Sequence, residues 1–193
     1  MLWFLLLPSL AVTLALINSL TMRVVRKSWE IINSSVSVLI PMRNEEENVE
    51  SILSSVQSQV RLTNFSISVL NDHSTDSTAE KLHKHVGITI LDGLELPVGW
   101  LGKNWACHQL SQKSHSEYLV FLDADVQLAP AAVASAIALM QREELDFLSP
   151  HPREIAETFM EKLIQSNKKK AEAIKTLATL YKDKLGNCKE SIY

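Results

Sequence analysis

The sequence predicts an α/β protein: a mostly parallel sheet flanked by helices on both faces, with an N-terminal transmembrane helix and a helical C-terminal tail. Three observations lead there. Between residues 35 and 150, short β-branched and apolar runs alternate with segments of helical periodicity. Residues 2–20 are almost wholly apolar and are followed by Arg23, Arg26 and Lys27. Beyond Pro152, the side chains Ile155, Phe159, Leu163, Ile174, Leu177 and Tyr181 recur at near-helical spacing.

Taken in order, residues 2–20 are long enough to cross a bilayer core as a helix, and Pro8 is tolerated in such a helix. The start MLWFLLLP lacks the basic n-region of a signal peptide and no A-x-A site follows. An uncleaved anchor over residues 1–22 is therefore expected, and the positive-inside rule places the following domain, residues 35–150, at the membrane and facing the cytoplasm. Residues 36–40 (VSVLI) predict a strand. Residues 45–59 predict a helix with Val49, Ile52, Leu53 and Val56 on one face. A second strand is expected at 65–70, and a helix at 76–85 with Ser74, Thr75 and Asp76 available as caps. Residues 88–91 read as a third strand, and Pro97, Gly99 and Gly102 make 94–102 a loop. A helix at 104–114, a strand at 118–122 and an Ala-rich helix at 130–142, with Pro130 in its first turn, complete the alternation. Phe147 and Leu148 belong to a further strand. The tail, 151–193, reads as one or two amphipathic helices ending near Gly186, with the lysines at 168–170 on a solvated face.

With 19 basic and 22 acidic residues the net charge is −3, so nothing points to a nucleic-acid partner. Cys107 and Cys188 fit no metal or redox spacing. The chemistry sits in three polar segments that each follow a strand. Asp123 and Asp125 end the apolar run YLVFLDADVQ. Carboxylates there lie at the carboxyl end of a strand, where open α/β sheets bind ligands. A pair of them suits a hard divalent cation, which commonly holds phosphate oxygens. PMRNEEEN (41–48) and NDHSTDST (71–78) would emerge at the same sheet edge. Taken singly, the acids at 45–47 would complement a helix dipole, and Asp72 and Asp76 would serve turns and caps. Their convergence points instead to a bound-ligand site. The histidines read as surface or hydrogen-bonding residues, since His83 and His85 fall on different sides of a helix. Trp100 and Trp105 flank Gly102 and Lys103; lining a sugar or lipid acceptor site and ordinary packing both fit them.

The ordered runs VSVLIPMRNEEENVESILSSV, VLNDHSTDST, GKNWACHQL and YLVFLDADV resemble the family 2 glycosyltransferases of GT-A fold, over about residues 35–150. The PVGWLGKNWACHQ segment, with the apolar N-terminus, looks most like bacterial carotenoid and lipid glucosyltransferases of the hydroxychlorobactene glucosyltransferase type. The resemblance implies a role for each matching residue. Pro41, Arg43 and Glu45 match the loop that lies against the nucleotide base and ribose. Asp72 matches the second acid of a D-D-x-S-x-D pattern that contacts the base, and Asn71 stands in place of the first acid. Lys103 falls in the segment that approaches the nucleotide phosphates. Asp123 and Asp125 match the D-x-D, whose first aspartate reaches the ribose or the metal and whose second binds the metal. Gln127 matches a position that supplies a further metal ligand in polyprenyl-phosphate sugar synthases. The implied reaction is inverting transfer, dependent on Mg²⁺ or Mn²⁺, from a nucleotide-diphosphate sugar (UDP-glucose by resemblance) to a lipid or carotenoid hydroxyl.

Inverting transfer needs a general base for the acceptor hydroxyl. The family supplies an aspartate well downstream of the D-x-D. Here Glu143, Glu144, Asp146, Glu154, Glu157, Glu161, Glu172, Asp183 and Glu190 sit in no such motif, and there is no Q/R-x-x-R-W-like segment. The catalytic base is thus unassigned, and the tail is unlike the family after about residue 164. The chain resembles the nucleotide-binding half of a glycosyltransferase without its acceptor half, as a truncated, frameshifted or partial product would. An inactive nucleotide-sugar-binding remnant is the alternative to an active transferase. FLDADV is also the opening of haloacid-dehalogenase-type phosphatases, with Asp123 as nucleophile and Asp125 as acid/base. That reading leaves residues 41–48 and 71–78 unexplained and needs later strand-end ligands where the tail reads as helix.

Overall fold

Strand β1 (Ile32–Met42) is buried on both faces through its run VSVLI, as a strand in the interior of a parallel sheet requires. The computed structural model describes residues 9, 10, 12–14, 16, 17, 25–150 and 179–182. In it, β1 pairs in parallel with β2 (Leu62–Asn71) on one edge and β4 (Tyr118–Phe121) on the other. The outer strand β3 (Thr89–Asp92) pairs in parallel with β2. Two more strands, β5 (Phe147–Leu148) and β6 (Thr179–Lys182), extend the opposite side, and β6 runs antiparallel to both β4 and β5. Among the described residues the order is β3-β2-β1-β4-β6-β5.

The two-residue period of β1 divides the core between the two faces. Val36, Val38, Ile40 and Met42 join a large cluster with α1 (Val49–Gln57), α2 (Thr78–Leu82) and α4 (Ala132–Arg142). Helix α1 contributes Val49, Ile52, Leu53 and Val56, one face at helical spacing. Helix α4 contributes Val133, Ala134, Ala136, Ile137 and Met140. Leu39, pointing the other way, packs with Leu70, Leu119, Ala106 and Leu110, which brings α3 (Gly102–Lys113) onto that face. Ser37 shares that face, and its hydroxyl lies 2.7 Å from those of both Ser66 and Ser116, so a buried polar group is satisfied by β2 and by the segment that leads into β4.

The expected transmembrane anchor is corrected, and with it the placement of the domain at the membrane facing the cytoplasm. Among the described residues no helix is long and apolar enough to cross a membrane. A span needs about 20 apolar residues in one helix; the described helical residues between 9 and 17 fall short of that, and the rest of residues 1–24 lies outside the described residues. Of the basic residues after this stretch, Lys27 makes a contact within the domain. Lys27 and Arg61 both lie over the Trp29 ring, 4.5 and 4.2 Å from its centre, and Arg61 donates 2.8 Å to the Ser28 carbonyl.

The helical tail is corrected at residues 179–182. Thr179–Lys182 is a strand, paired in antiparallel fashion with β4 through Tyr118↔Lys182 to Phe121↔Thr179. Thr and Tyr are favoured strand residues, and the pairing satisfies the second edge of β4. The remainder of 151–193 lies outside the described residues.

Ile137 is fully buried at the centre of the larger cluster. Ile137→Ala is expected to cost about 2–5 kcal/mol through lost burial and the cavity left behind. Urea denaturation followed by circular dichroism checks this, and a loss below about 1 kcal/mol would contradict the core as described.

Candidate functional site

Because β1, β2 and β4 run parallel, Met42 sits opposite Asn71 and Leu39 opposite Phe121, so the three following segments leave the sheet at one edge. A cleft of about 310 Å³ opens there, in the range of small-ligand sites. It is lined by Pro41, Met42, Arg43, Glu45, Asp72, Gly102, Lys103, Ala106, Asp123, Ala124 and Asp125.

The first two segments are stitched together. Asn44 adopts a left-handed conformation (φ 55°), tolerated by asparagine, and its N–H donates to the Ser74 hydroxyl at 3.0 Å. Its side-chain oxygen accepts from the Thr75 N–H at 2.7 Å. The Glu45 N–H donates to Thr78 Oγ1 and the Glu46 N–H to Asp76 Oδ2, while Glu46 Oε2 accepts from the Ser77 N–H and Lys81 Nζ donates to the Glu46 carbonyl. Such N–H groups have no partner inside a first helical turn, so these bonds cap the two helices from across the cleft edge. The Glu45 carbonyl accepts from the N–H groups of both Asn48 and Val49, so residues 45–48 form a turn that leads into α1 at Val49, while α2 starts at Thr78. Asp76 is thus a tie between segments and lies outside the cleft lining. Its carboxylate accepts a hydrogen bond from the Thr78 side chain and N–H bonds from Thr78 and Glu46, which together hold it below its ordinary pKa of 3.8 despite some opposing desolvation.

Asp72 closes the other wall. Its N–H donates to the Met42 carbonyl at 2.8 Å, and Arg43 Nη1 lies 3.9 Å from Asp72 Oδ2. Gly93 packs directly behind it: a Cβ there would fall 3.0 Å from Asp72 Oδ1, 3.2 Å from its Cα and 3.3 Å from the Asn71 carbonyl. These approaches are tighter than ordinary carbon contacts, so a side chain there would push the Asn71–Asp72 backbone aside by a few tenths of an ångström, and Gly93 supports the Asp72 position. Asn71, where the resemblance placed an acid, uses its side-chain oxygen to accept from the Ser74 N–H at 3.3 Å. It closes the turn and brings no charge to the cleft.

On the far wall, Lys103 Nζ lies 2.6 Å from Asp123 Oδ1. Asp125, two residues on, is exposed and has no hydrogen-bonding or ionic partner among the described residues. Cys107 stands one turn along α3 from Lys103. Burial pushes its thiol up to about 11, the charge of Lys103 pulling against that and Asp123 adding to it, so it stays a protonated, inert thiol at neutral pH.

The cleft therefore gathers Pro41, Arg43, Glu45, Asp72, Lys103, Asp123 and Asp125. Gln127 is exposed and is not among the lining residues. Trp100 and Trp105 also lie outside the lining; they pack edge to face at 5.1 Å, His108 stacks on Trp105 at 5.5 Å, and Trp105 Nε1 donates to the Leu94 carbonyl. His83 and His85 contact the Ala79 carbonyl and Glu50. Sequence reasoning did not assign Met42, Gly102, Ala106, Ala124 or the supporting Gly93 to the site. Only Gly93 carried a signal, a glycine directly after a strand.

A model of glycosyl transferase family 2 matches residues 37–188 of the chain. The chain belongs to glycosyl transferase family 2. The match runs past residue 164, where the resemblance had been expected to fade. The family 2 chain is 34% identical over 139 residues to 4,4'-diaponeurosporenoate glycosyltransferase of Staphylococcus aureus (strain bovine RF122 / ET3-1), covering 70% of this chain and 36% of the relative. It thus spans about a third of the length of that relative. Its fold is similar to S. aureus TarS 1–349 in complex with UDP, with TM-score 0.51, 23% identity, and 64% and 38% of the two chains covered. It is similar to the mannosyltransferase PcManGT from Pyrobaculum calidifontis in complex with GDP-Man and Mn²⁺, with TM-score 0.53, 21% identity, and coverage of 66% and 40%. Glucosyl-3-phosphoglycerate synthase from Mycobacterium tuberculosis, in complex with Mn²⁺, UDP and glucosyl-3-phosphoglycerate, gives TM-score 0.57 at 22% identity over 77% and 57%. These likenesses agree with the expected GT-A fold.

Asp76 yields a pH prediction for this family 2 domain. Its folded-state pKa is lowered, so its contribution to stability is present above the ordinary carboxylate pKa and is lost as pH falls through the lowered value. Melting temperatures of the wild type and Asp76→Ala should differ most near neutral pH and converge as the pH falls below about 4. A gap that stays constant or widens on acidification would contradict the assignment.

Proposed function

We propose that this chain provides the donor-binding half of a metal-dependent, inverting glycosyltransferase. It would take a nucleotide-diphosphate sugar, with UDP-glucose the first to test, and pass the sugar to a lipid or carotenoid hydroxyl. The observation that carries the reading is the meeting of Arg43, Asp72, Lys103, Asp123 and Asp125 in one cleft at the carboxyl edge of a parallel sheet. The names of the relatives support it: one is a carotenoid glycosyltransferase, and similar folds are described in complex with UDP, with GDP-Man and with Mn²⁺.

The side chains fit an oxygen-preferring divalent cation, Mg²⁺ or Mn²⁺. Asp123 and Asp125 supply carboxylates, and among the described residues no group of three His, Cys, Asp or Glu is gathered that could hold a metal alone. Two carboxylates leave positions for diphosphate oxygens and water, the usual arrangement when such a cation accompanies a phosphate substrate. When bound, the cation would stabilise the charge that builds on the leaving diphosphate. Asp72 and Arg43, with Pro41 and Glu45, would border the base and ribose, and Lys103 would add positive charge beside the phosphates.

A second reading, donor binding without turnover, rests on a specific observation. The acids that line the cleft are Glu45, Asp72, Asp123 and Asp125, and none of the described acids beyond Asp125 lines it. No general base for an acceptor is assigned. Both readings require UDP-glucose binding that depends on Mn²⁺ and weakens by about tenfold or more in Asp125→Ala, measured by calorimetry. Release of glucose or transfer to a polyisoprenoid alcohol selects the enzyme; binding alone selects the second reading. Absence of binding with either cation sinks both.

A further inference from the structure

Lys103 and Asp123 come from different elements, the start of α3 and the segment after β4. Their side chains are unequally fixed. That of Lys103 is 62% exposed and that of Asp123 only 19%, yet Nζ and Oδ1 are 2.6 Å apart. The ammonium sits on a solvated stem and is held at its tip, while the carboxylate belongs to the wall. Beyond that contact, neither the Asp123 nor the Asp125 carboxylate has a hydrogen-bonding or ionic partner among the described residues. One carboxylate of the pair is thus neutralised by the chain's own cation and the other is not.

A divalent cation shared by Asp123 and Asp125 would meet the ammonium at its first ligand. Like charges within a few ångströms repel, so the ion pair opposes cation binding by itself. A diphosphate reverses this balance, because its oxygens offer the displaced ammonium charge-assisted hydrogen bonds. The exchange is easy on the lysine side, since a solvated ion pair is weakly held.

We propose that Lys103 is an internal counter-ion that holds Asp123 until a diphosphate enters the cleft, so that divalent cation and nucleotide diphosphate bind cooperatively. The inference deepens the nucleotide-sugar reading and rests on it. Reciprocity requires UDP to tighten the cation by the same factor as the cation tightens UDP.

The test measures Mn²⁺ affinity by electron paramagnetic resonance, with UDP absent and saturating, for the wild type, Lys103→Met and Lys103→Arg. In the wild type UDP should tighten Mn²⁺ binding by about tenfold or more. In Lys103→Met, Mn²⁺ alone should bind several-fold tighter than in the wild type, and the gain from UDP should shrink. Lys103→Arg keeps the ion pair and should behave as the wild type does. The exposed stem of Lys103 makes both variants compatible with the fold, which circular dichroism verifies. Unchanged or weaker Mn²⁺ binding by Lys103→Met without UDP, with UDP still bound, overturns the counter-ion and spares the donor reading. Failure of all three proteins to bind UDP overturns the donor reading and this inference together.

Discussion

The site depends on the parallel pairing of β1 on both edges. Met42 opposite Asn71 and Leu39 opposite Phe121 fix where three chain segments leave the sheet, and the following Leu122 N–H still bonds to the Leu39 carbonyl. A slip of one residue would turn Val36, Val38 and Ile40 away from α1 and α4 toward the smaller cluster on the other face and would break up the larger core. The hydrophobic pattern of one strand therefore sets the positions of Arg43, Asp72 and Asp123 relative to one another. Hydrogen bonds within the loops refine these positions but could not create them.

Acidic residues at this edge divide by what they touch. Glu46 and Asp76 each accept from a backbone N–H of the opposite segment, and Asp76 also accepts from that of Thr78 in its own. Asp72 is wedged against Gly93 with a distant arginine at 3.9 Å, and Asp125 is left open. The first kind makes the loops rigid; the second is what a ligand would meet. The same sequence stretch, NDHSTDST, supplies both kinds at Asp72 and Asp76, and the difference is visible only once the first segment lies beside it.

Much of this arrangement is legible in the chain because it is local. The runs around residues 36–40, 65–70 and 118–122 carry strand composition, and α1 and α4 carry their buried faces at helical spacing. What escaped depends on contacts between distant residues. The N–H groups of the turn at Glu45 are capped by Thr78 and Asp76, thirty residues away, which no local pattern announces. Tyr181 fits a helical period with Ile174 and Leu177, yet pairing with β4 overrides that weak local preference. Apolar composition over residues 2–20 met the length criterion for a span, whereas the described helical residues between 9 and 17 are fewer than a span needs. Gln127 was placed by resemblance alone, and two residues past Asp125 the chain has already left the cleft.

The charges that line the cleft bear on the donor reading itself. Four carboxylates, Glu45, Asp72, Asp123 and Asp125, face two cations, Arg43 and Lys103. A site with that excess of negative charge is a poor receptor for a nucleotide diphosphate, because the ligand adds charge of the same sign at close range. Arg43 is directed toward Asp72 and Lys103 toward Asp123, so neither cation is uncommitted. On the donor reading, a divalent cation is then required by charge balance at the binding step, before any bond to the sugar breaks. On that reading the two aspartates that follow β4 would act first as the reason an anion cannot enter alone, and then as the ligands that admit it in company.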